Sequence, residues 1–169
     1  EEKKEKPILK TTIFTPDALY EMVFDRKENK TSFSKMDRDG NLETLIEEVE
    51  IEGRKYKPLP PSYNLVEKDV ILFPSLATPY TNEEEILKEI QTFVHKYLDI
   101  SEVFEQIATY YVLFTWMFDK FNEVPYLRAI GDFGSGKSRF IQAIGILCYK
   151  PVFTGGATTP SPIFRIVNR

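Results

Sequence analysis

Between residues 7 and 80, short runs of apolar residues are broken by turn residues, the pattern of a strand-rich segment. Runs at 8–14, 18–24, 31–36, 42–51 and 70–73 are rich in β-branched and aromatic side chains. Thr15-Pro16-Asp17, Asp39-Gly40-Asn41 and Glu52-Gly53 separate them as turns. Residues 44–51 also fit a helix. Leu59-Pro60-Pro61 breaks the pattern before the last run. The expectation is a small β-rich domain over 7–80, behind a charged tail over 1–6.

The period then changes to that of a helix. Thr81, with Glu84 three residues on, has the form of a capping box. Ile86, Leu87, Ile90, Phe93, Val94 and Tyr97 follow as one apolar stripe opposite charged residues. Ser101 suits the cap of a second helix running toward Phe121. That helix is apolar nearly all round, from Ile107, Tyr110 and Tyr111 through Leu113, Phe114, Trp116, Met117 and Phe118, and is predicted to lie between layers. Residues 81–123 thus read as a helical linker. His95, the only histidine, falls off the apolar stripe with no second His or Cys near it, so an exposed side chain is expected.

The last segment, 124–169, carries the chemistry. Gly131-Asp132-Phe133-Gly134-Ser135-Gly136-Lys137-Ser138 matches the phosphate-loop pattern G-x-x-x-x-G-K-[ST] at every fixed position. The glycines let successive backbone N–H groups turn toward a bound polyphosphate. Lys137 would reach the β- and γ-phosphates, and the Ser138 hydroxyl would hold Mg²⁺. Arg139 follows at the start of the helix and completes the predicted nucleotide-binding set. An apolar run at 125–130 predicts a buried strand before the loop. Phe140, Ile141, Ile144, Leu147 and Cys148 predict a helix after it, through Tyr149. Strand, loop and helix in this order bring the positive helix end to the anion. The plain alternative is a Gly-Ser turn before an ordinary helix. Residues 151–154 suggest a second strand, and 162–167 the start of another helix. Between them, Gly155 to Pro160 read as a functional loop or as a simple connection capped by Thr158 or Thr159. The fold class expected is α/β: an incomplete P-loop NTPase domain behind a helical linker and the β-rich front.

Charge follows the same division. From residue 124 onward, Arg128, Lys137, Arg139, Lys150, Arg165 and Arg169 face a single acid, Asp132. That surplus of five, in a chain of net charge −4, leaves −9 on the residues before it. A basic nucleotide-binding end suits phosphate ligands and leaves room for nucleic acid. No Asp or Glu follows Asp132, so the acidic group that holds Mg²⁺ in a working ATPase has no counterpart, and the sequence reads as the front part of a longer protein. At 42% apolar and 28% charged residues, the composition is that of ordinary globular material. One cysteine, Cys148, excludes an internal disulfide and reads as a packed core thiol. The longest apolar run, 107–118, is too short for a membrane span, which needs ~20 residues. No membrane partner and a cytoplasmic location are expected. Asp37, Asp39, Asn41 and Glu48 have the spacing of a calcium loop, but the sixth position is Leu42 where a glycine is required, so a hairpin turn is preferred.

Tyr110-Tyr111-Val112-Leu113-Phe114-Thr115-Trp116, Val124-Pro125-Tyr126-Leu127, the loop itself, Leu147-Cys148-Tyr149-Lys150-Pro151 and Gly156-Ala157-Thr158-Thr159 together resemble helicase/primase-like P-loop ATPases of plasmids, phages and other mobile elements. The resemblance spans 83–169 and leaves out the β-rich front. It implies an ATP- and Mg²⁺-dependent replication protein that assembles around DNA as a homo-oligomer and couples hydrolysis to strand separation or loading. Gly136, Lys137 and Ser138 would be its phosphate and Mg²⁺ contacts. The alternative is a nucleotide-switched regulatory or structural P-loop protein without motor activity.

Overall fold

The computed structural model describes residues 6–155. They form a mixed α/β arrangement of two sheets and four α-helices. Strands β2 (Thr12–Phe14), β3 (Ala18–Asp25), β4 (Lys30–Asp37) and β5 (Leu42–Ile46) make an antiparallel sheet in chain order. A second sheet joins β1 (Ile8–Leu9), β7 (Arg54–Lys57) and β6 (Val49–Ile51) in the order β1-β7-β6. β1 runs parallel to β7, and β6 antiparallel to it.

Each turn has an identifiable cause. Asp25 closes the β3–β4 connection by accepting from the N–H groups of Lys27 and Glu28 at 2.9 and 3.2 Å. Asp37 does the same for β4–β5, accepting from Asp39 N and Asn41 N, and Gly40 supplies φ +83°. The supposed calcium set is therefore a hairpin turn. Asp37 binds its own backbone, and Glu48 turns away to pair with Lys55 and Lys57. Glu52 and Gly53, both at positive φ, form the two-residue turn between β6 and β7.

Three strand expectations over 7–80 change. The run 8–14 is two strands in different sheets, since β1 bonds β7 while β2 bonds β3. The run 42–51 is likewise split into β5 and β6, and neither part is helical. β7, Arg-Lys-Tyr-Lys, was hidden by its polar composition; only Tyr56 faces the core. Residues 70–73 form no strand. They run irregularly beside the sheet, where Phe24 N donates to Pro74 O at 2.8 Å and Phe73 is buried.

One core draws on both sheets: Ile13, Met22, Phe24, Phe33, Val49, Leu59, Val66 and Phe73. Met22 and Phe33 are fully buried at cross-strand positions of β3 and β4, and Tyr20 meets Phe33 edge-on at 6.5 Å. Val66 comes from the short helix α1 (Asn64–Glu67). A second core joins α2 (Glu83–Tyr97), α3 (Glu102–Trp116) and α4 (Lys137–Gly145) through Val94, Leu98, Ala108, Val112, Ala143 and Ile144.

The cap of α2 is Asn82, whose Oδ1 accepts from Glu85 N at 2.9 Å, and not Thr81. Ser101 caps α3 by position alone, with no side-chain bond. α3 is not enclosed between layers: Val103, Phe104, Ile107 and Tyr110 form an exposed outer face while Ala108 and Val112 pack inward. The run 125–130 carries no regular secondary structure and belongs to no sheet, and Tyr126 and Ile130 are exposed. A strand forms only by completing a ladder, and no described strand pairs with this run. Residues 151–154 form no strand either; Pro151 O instead accepts from Leu72 N at 3.3 Å. α4 stops at Gly145, and 146–149 continue as turns. The expectations for the tail over 1–5, for 156–160 and for the helix at 162–167 lie outside the described residues.

Candidate functional site: the Gly131–Ser138 loop

The loop folds as a compact turn feeding directly into a helix. Gly134 and Gly136 hold φ of +80° and +81°, the left-handed region that glycine enters without steric cost. Gly136 is the N-cap of α4, and its carbonyl accepts the first helical bond from Phe140 N at 2.9 Å. The N–H groups of the residues ahead of Phe140 have no intrahelical partner, and they carry the positive end of the helix dipole. Ser135 N donates to Asp132 O at 3.2 Å, tightening the turn. Gly131 faces Ser135 so closely that an added Cβ would meet its Oγ at 2.6 Å.

Lys137 closes this ring. Its Nζ donates to Gly131 O at 2.8 Å, to Asp132 O at 2.5 Å and to Ser135 Oγ at 3.3 Å. The ammonium thus sits over the loop, near the unpaired helix-start N–H groups. Ser138 and Arg139 follow in the first turn of α4, both exposed, and Phe133 projects fully into solvent from the apex. All nine predicted nucleotide-binding residues, Gly131 through Arg139, therefore lie in one exposed loop and helix start. These residues fit a polyphosphate: backbone donors, one fixed cation and little side-chain bulk. For Mg²⁺ they offer the Ser138 hydroxyl, and no group of three His, Cys, Asp or Glu gathers among the described residues.

α4 is anchored at its far end. Trp116 Nε1 donates to Leu147 O at 2.9 Å, and Tyr149 N donates to Thr115 Oγ1 at 3.0 Å. Cys148, expected as a packed core thiol, is half-buried at the margin of the helical core and donates to Ile144 O at 3.4 Å; burial pushes its pKa up.

Two arrangements were not legible beforehand. His95 is 79% exposed as expected, but its Nδ1 lies 2.8 Å from Oε1 of Glu105, whose side chain is only 5% exposed. That hydrogen bond, followed by the carboxylate's charge, raises the imidazole pKa. The second is a cluster of Glu21, Tyr149 and Lys150, which joins the turn after α4 to the front sheet. Burial pushes the Lys150 ammonium below the usual lysine range against the opposing pull of Glu21, and burial together with Glu21 pushes the Tyr149 phenol up.

Searches of protein-family models, curated proteins and solved structures return no match to this chain. Among the described residues, no helix is long and apolar enough to cross a membrane.

Proposed function

We propose that residues 131–139 form a Mg²⁺–nucleoside triphosphate site, and that the chain is part of a helicase-like P-loop ATPase acting on DNA. The observation that carries the nucleotide reading is the geometry of Lys137. Its ammonium is held over a loop whose two left-handed glycines lead into a helix N-terminus. In an ordinary Gly-Ser turn the lysine is left free in solvent, since ordering its side chain costs rotamer entropy.

When bound, Mg²⁺ would neutralise phosphate charge and orient the polyphosphate. The chain's own residues supply the rest. Loop N–H groups and the helix end bind the phosphates, Lys137 exchanges carbonyl acceptors for phosphate oxygens, and the Ser138 hydroxyl offers its oxygen to the cation. DNA as a partner is supported by the surroundings, where exposed Arg128 and Arg139 alternate with exposed Tyr126 and Phe133. Basic and aromatic groups so interleaved suit a phosphate backbone and stacked bases. A homo-oligomeric assembly belongs to the same proposal.

Binding of a fluorescent ATP analogue, with and without Mg²⁺, tests the site in the wild type and in Ser138→Ala. Mg²⁺ should tighten binding to the wild type and have a smaller effect on the variant; equal Mg²⁺ dependence would remove Ser138 from the site. Turnover stimulated by single-stranded DNA would support the motor reading, and DNA-independent behaviour would favour a nucleotide switch.

A further inference from the structure

A partly buried charged cluster stands where the turn after α4 meets the front sheet. Lys150 Nζ lies 3.1 Å from Glu21 Oε2, and their side chains are only 15% and 21% exposed. The Tyr149 hydroxyl donates to Glu21 Oε1 at 2.6 Å and accepts from Lys150 Nζ at 2.7 Å. Lys150 also donates to the hydroxyls of Thr11 and Thr12. Glu21 belongs to β3 and Thr12 to β2, so the cluster ties the edge strand β2 and its neighbour β3 to the chain leaving α4.

Stability alone does not account for such a cluster. A buried ion pair costs much to desolvate, and a well-packed apolar pair holds a seam at least as firmly. What directional bonds add is a fixed relative orientation. Lys150 also takes φ +44°, a left-handed conformation uncommon for a lysine. The same turn is fixed to α3 by Trp116 and Thr115, and the Tyr149 ring meets Trp116 edge-on at 5.3 Å. Residues 146–150 thus bear on α3, α4 and the front sheet together.

We propose that the Glu21–Tyr149–Lys150 cluster is the joint through which occupancy of the phosphate loop is passed from α4 to the β-rich front, making that front a nucleotide-responsive element. This inference rests on the nucleotide reading above. The loop is the N-terminal end of α4 and the joint follows its C-terminal end. Nine helical residues span about 14 Å, short enough to move as one rod. A shift of the first turn around bound phosphates therefore reaches 146–150. A directional buried cluster has few arrangements, so the shift passes to β2 and β3 and is not absorbed by slippage.

Amide hydrogen exchange with and without Mg²⁺–ATP tests this, comparing the wild type with Lys150→Met/Glu21→Gln. That double variant keeps the seam filled and leaves no buried charge unpaired. The expected result is slowed exchange at 131–140 in both proteins, and slowing by about threefold or more at 12–25 in the wild type only. Protection of the loop without protection of 12–25 in the wild type would overturn the joint while leaving the nucleotide site intact. Equal protection of 12–25 in both proteins would also overturn it, because a general stabilisation by ligand would then explain the effect. No protection at 131–140 in the wild type would overturn the nucleotide reading and this inference with it. If the double variant does not fold, Tyr149→Phe replaces it with the same outcomes, since it removes the hydroxyl's bonds to Glu21, Lys150 and Thr12 and little volume.

Discussion

Lys137 donates to the carbonyl oxygen of Gly131 across its own loop, at 2.8 Å and six positions away in the chain. The bond is exposed, so water competes for both partners and its net contribution to stability is small. Lys137→Ala is therefore expected to lower unfolding stability by less than about 1 kcal/mol. Urea denaturation checks this. A larger loss would mean that the lysine serves the fold and not a ligand.

The loop glycines should separate by mechanism. Gly136 has φ +81° and open space around an added Cβ, so Gly136→Ala meets backbone strain alone, about 1–2 kcal/mol. Gly131 does not need a left-handed backbone, but a Cβ there collides with Ser135 Oγ at 2.6 Å. Gly131→Ala should accordingly be relieved by adding Ser135→Gly, whereas Gly136→Ala should not. Denaturation midpoints of the two single variants and the two doubles measure the contrast.

A pH dependence follows from His95, the only histidine, so one imidazole resonance reports it directly. Its folded pKa is raised by the bond to Glu105, above the usual ~6.5 of the unfolded chain. The stabilisation is complete below that unfolded value and is lost as pH rises through the higher folded one. Stability of the wild type relative to His95→Gln should therefore shrink as pH rises from about 6 toward 8. The direction would reverse if the imidazole were held neutral.

In the front core, Phe33→Ala removes a fully buried ring that packs against Tyr20. The expected loss is about 3–5 kcal/mol, read by chemical denaturation. Because Met22 faces it across the strand pair, Met22→Ala and Phe33→Ala should not be additive.

The sequence revealed the structure where information is local. β3 and β4 are long local runs of strand-forming residues and pair along eight positions, so their pattern shows at once. The Gly131–Ser138 loop is contiguous, and each glycine and the lysine stand where the motif needs them. Strand breaks were illegible because they depend on which sheet supplies the partner: Ile8 and Thr12 look alike in sequence, yet bond β7 and β3. The apolar run 125–130 has strand character but no neighbour to pair with among the described residues. The Glu21–Lys150 contact joins positions too far apart in sequence for any periodicity to reveal, and the left-handed Lys150 has no composition signal. Long-range polar contacts of this kind become visible only in three dimensions.

The nucleotide site is tested most directly by calorimetric titration of Mg²⁺–ATP and Mg²⁺–ADP into the wild type and Lys137→Ala. Saturable one-to-one binding to the wild type is predicted, weakened at least about tenfold in the variant, since one charge-assisted contact to phosphate amounts to roughly 1.5–3 kcal/mol. Equal affinities in the two proteins, or no binding to a folded wild type, would contradict the assignment of residues 131–139 as a nucleotide site.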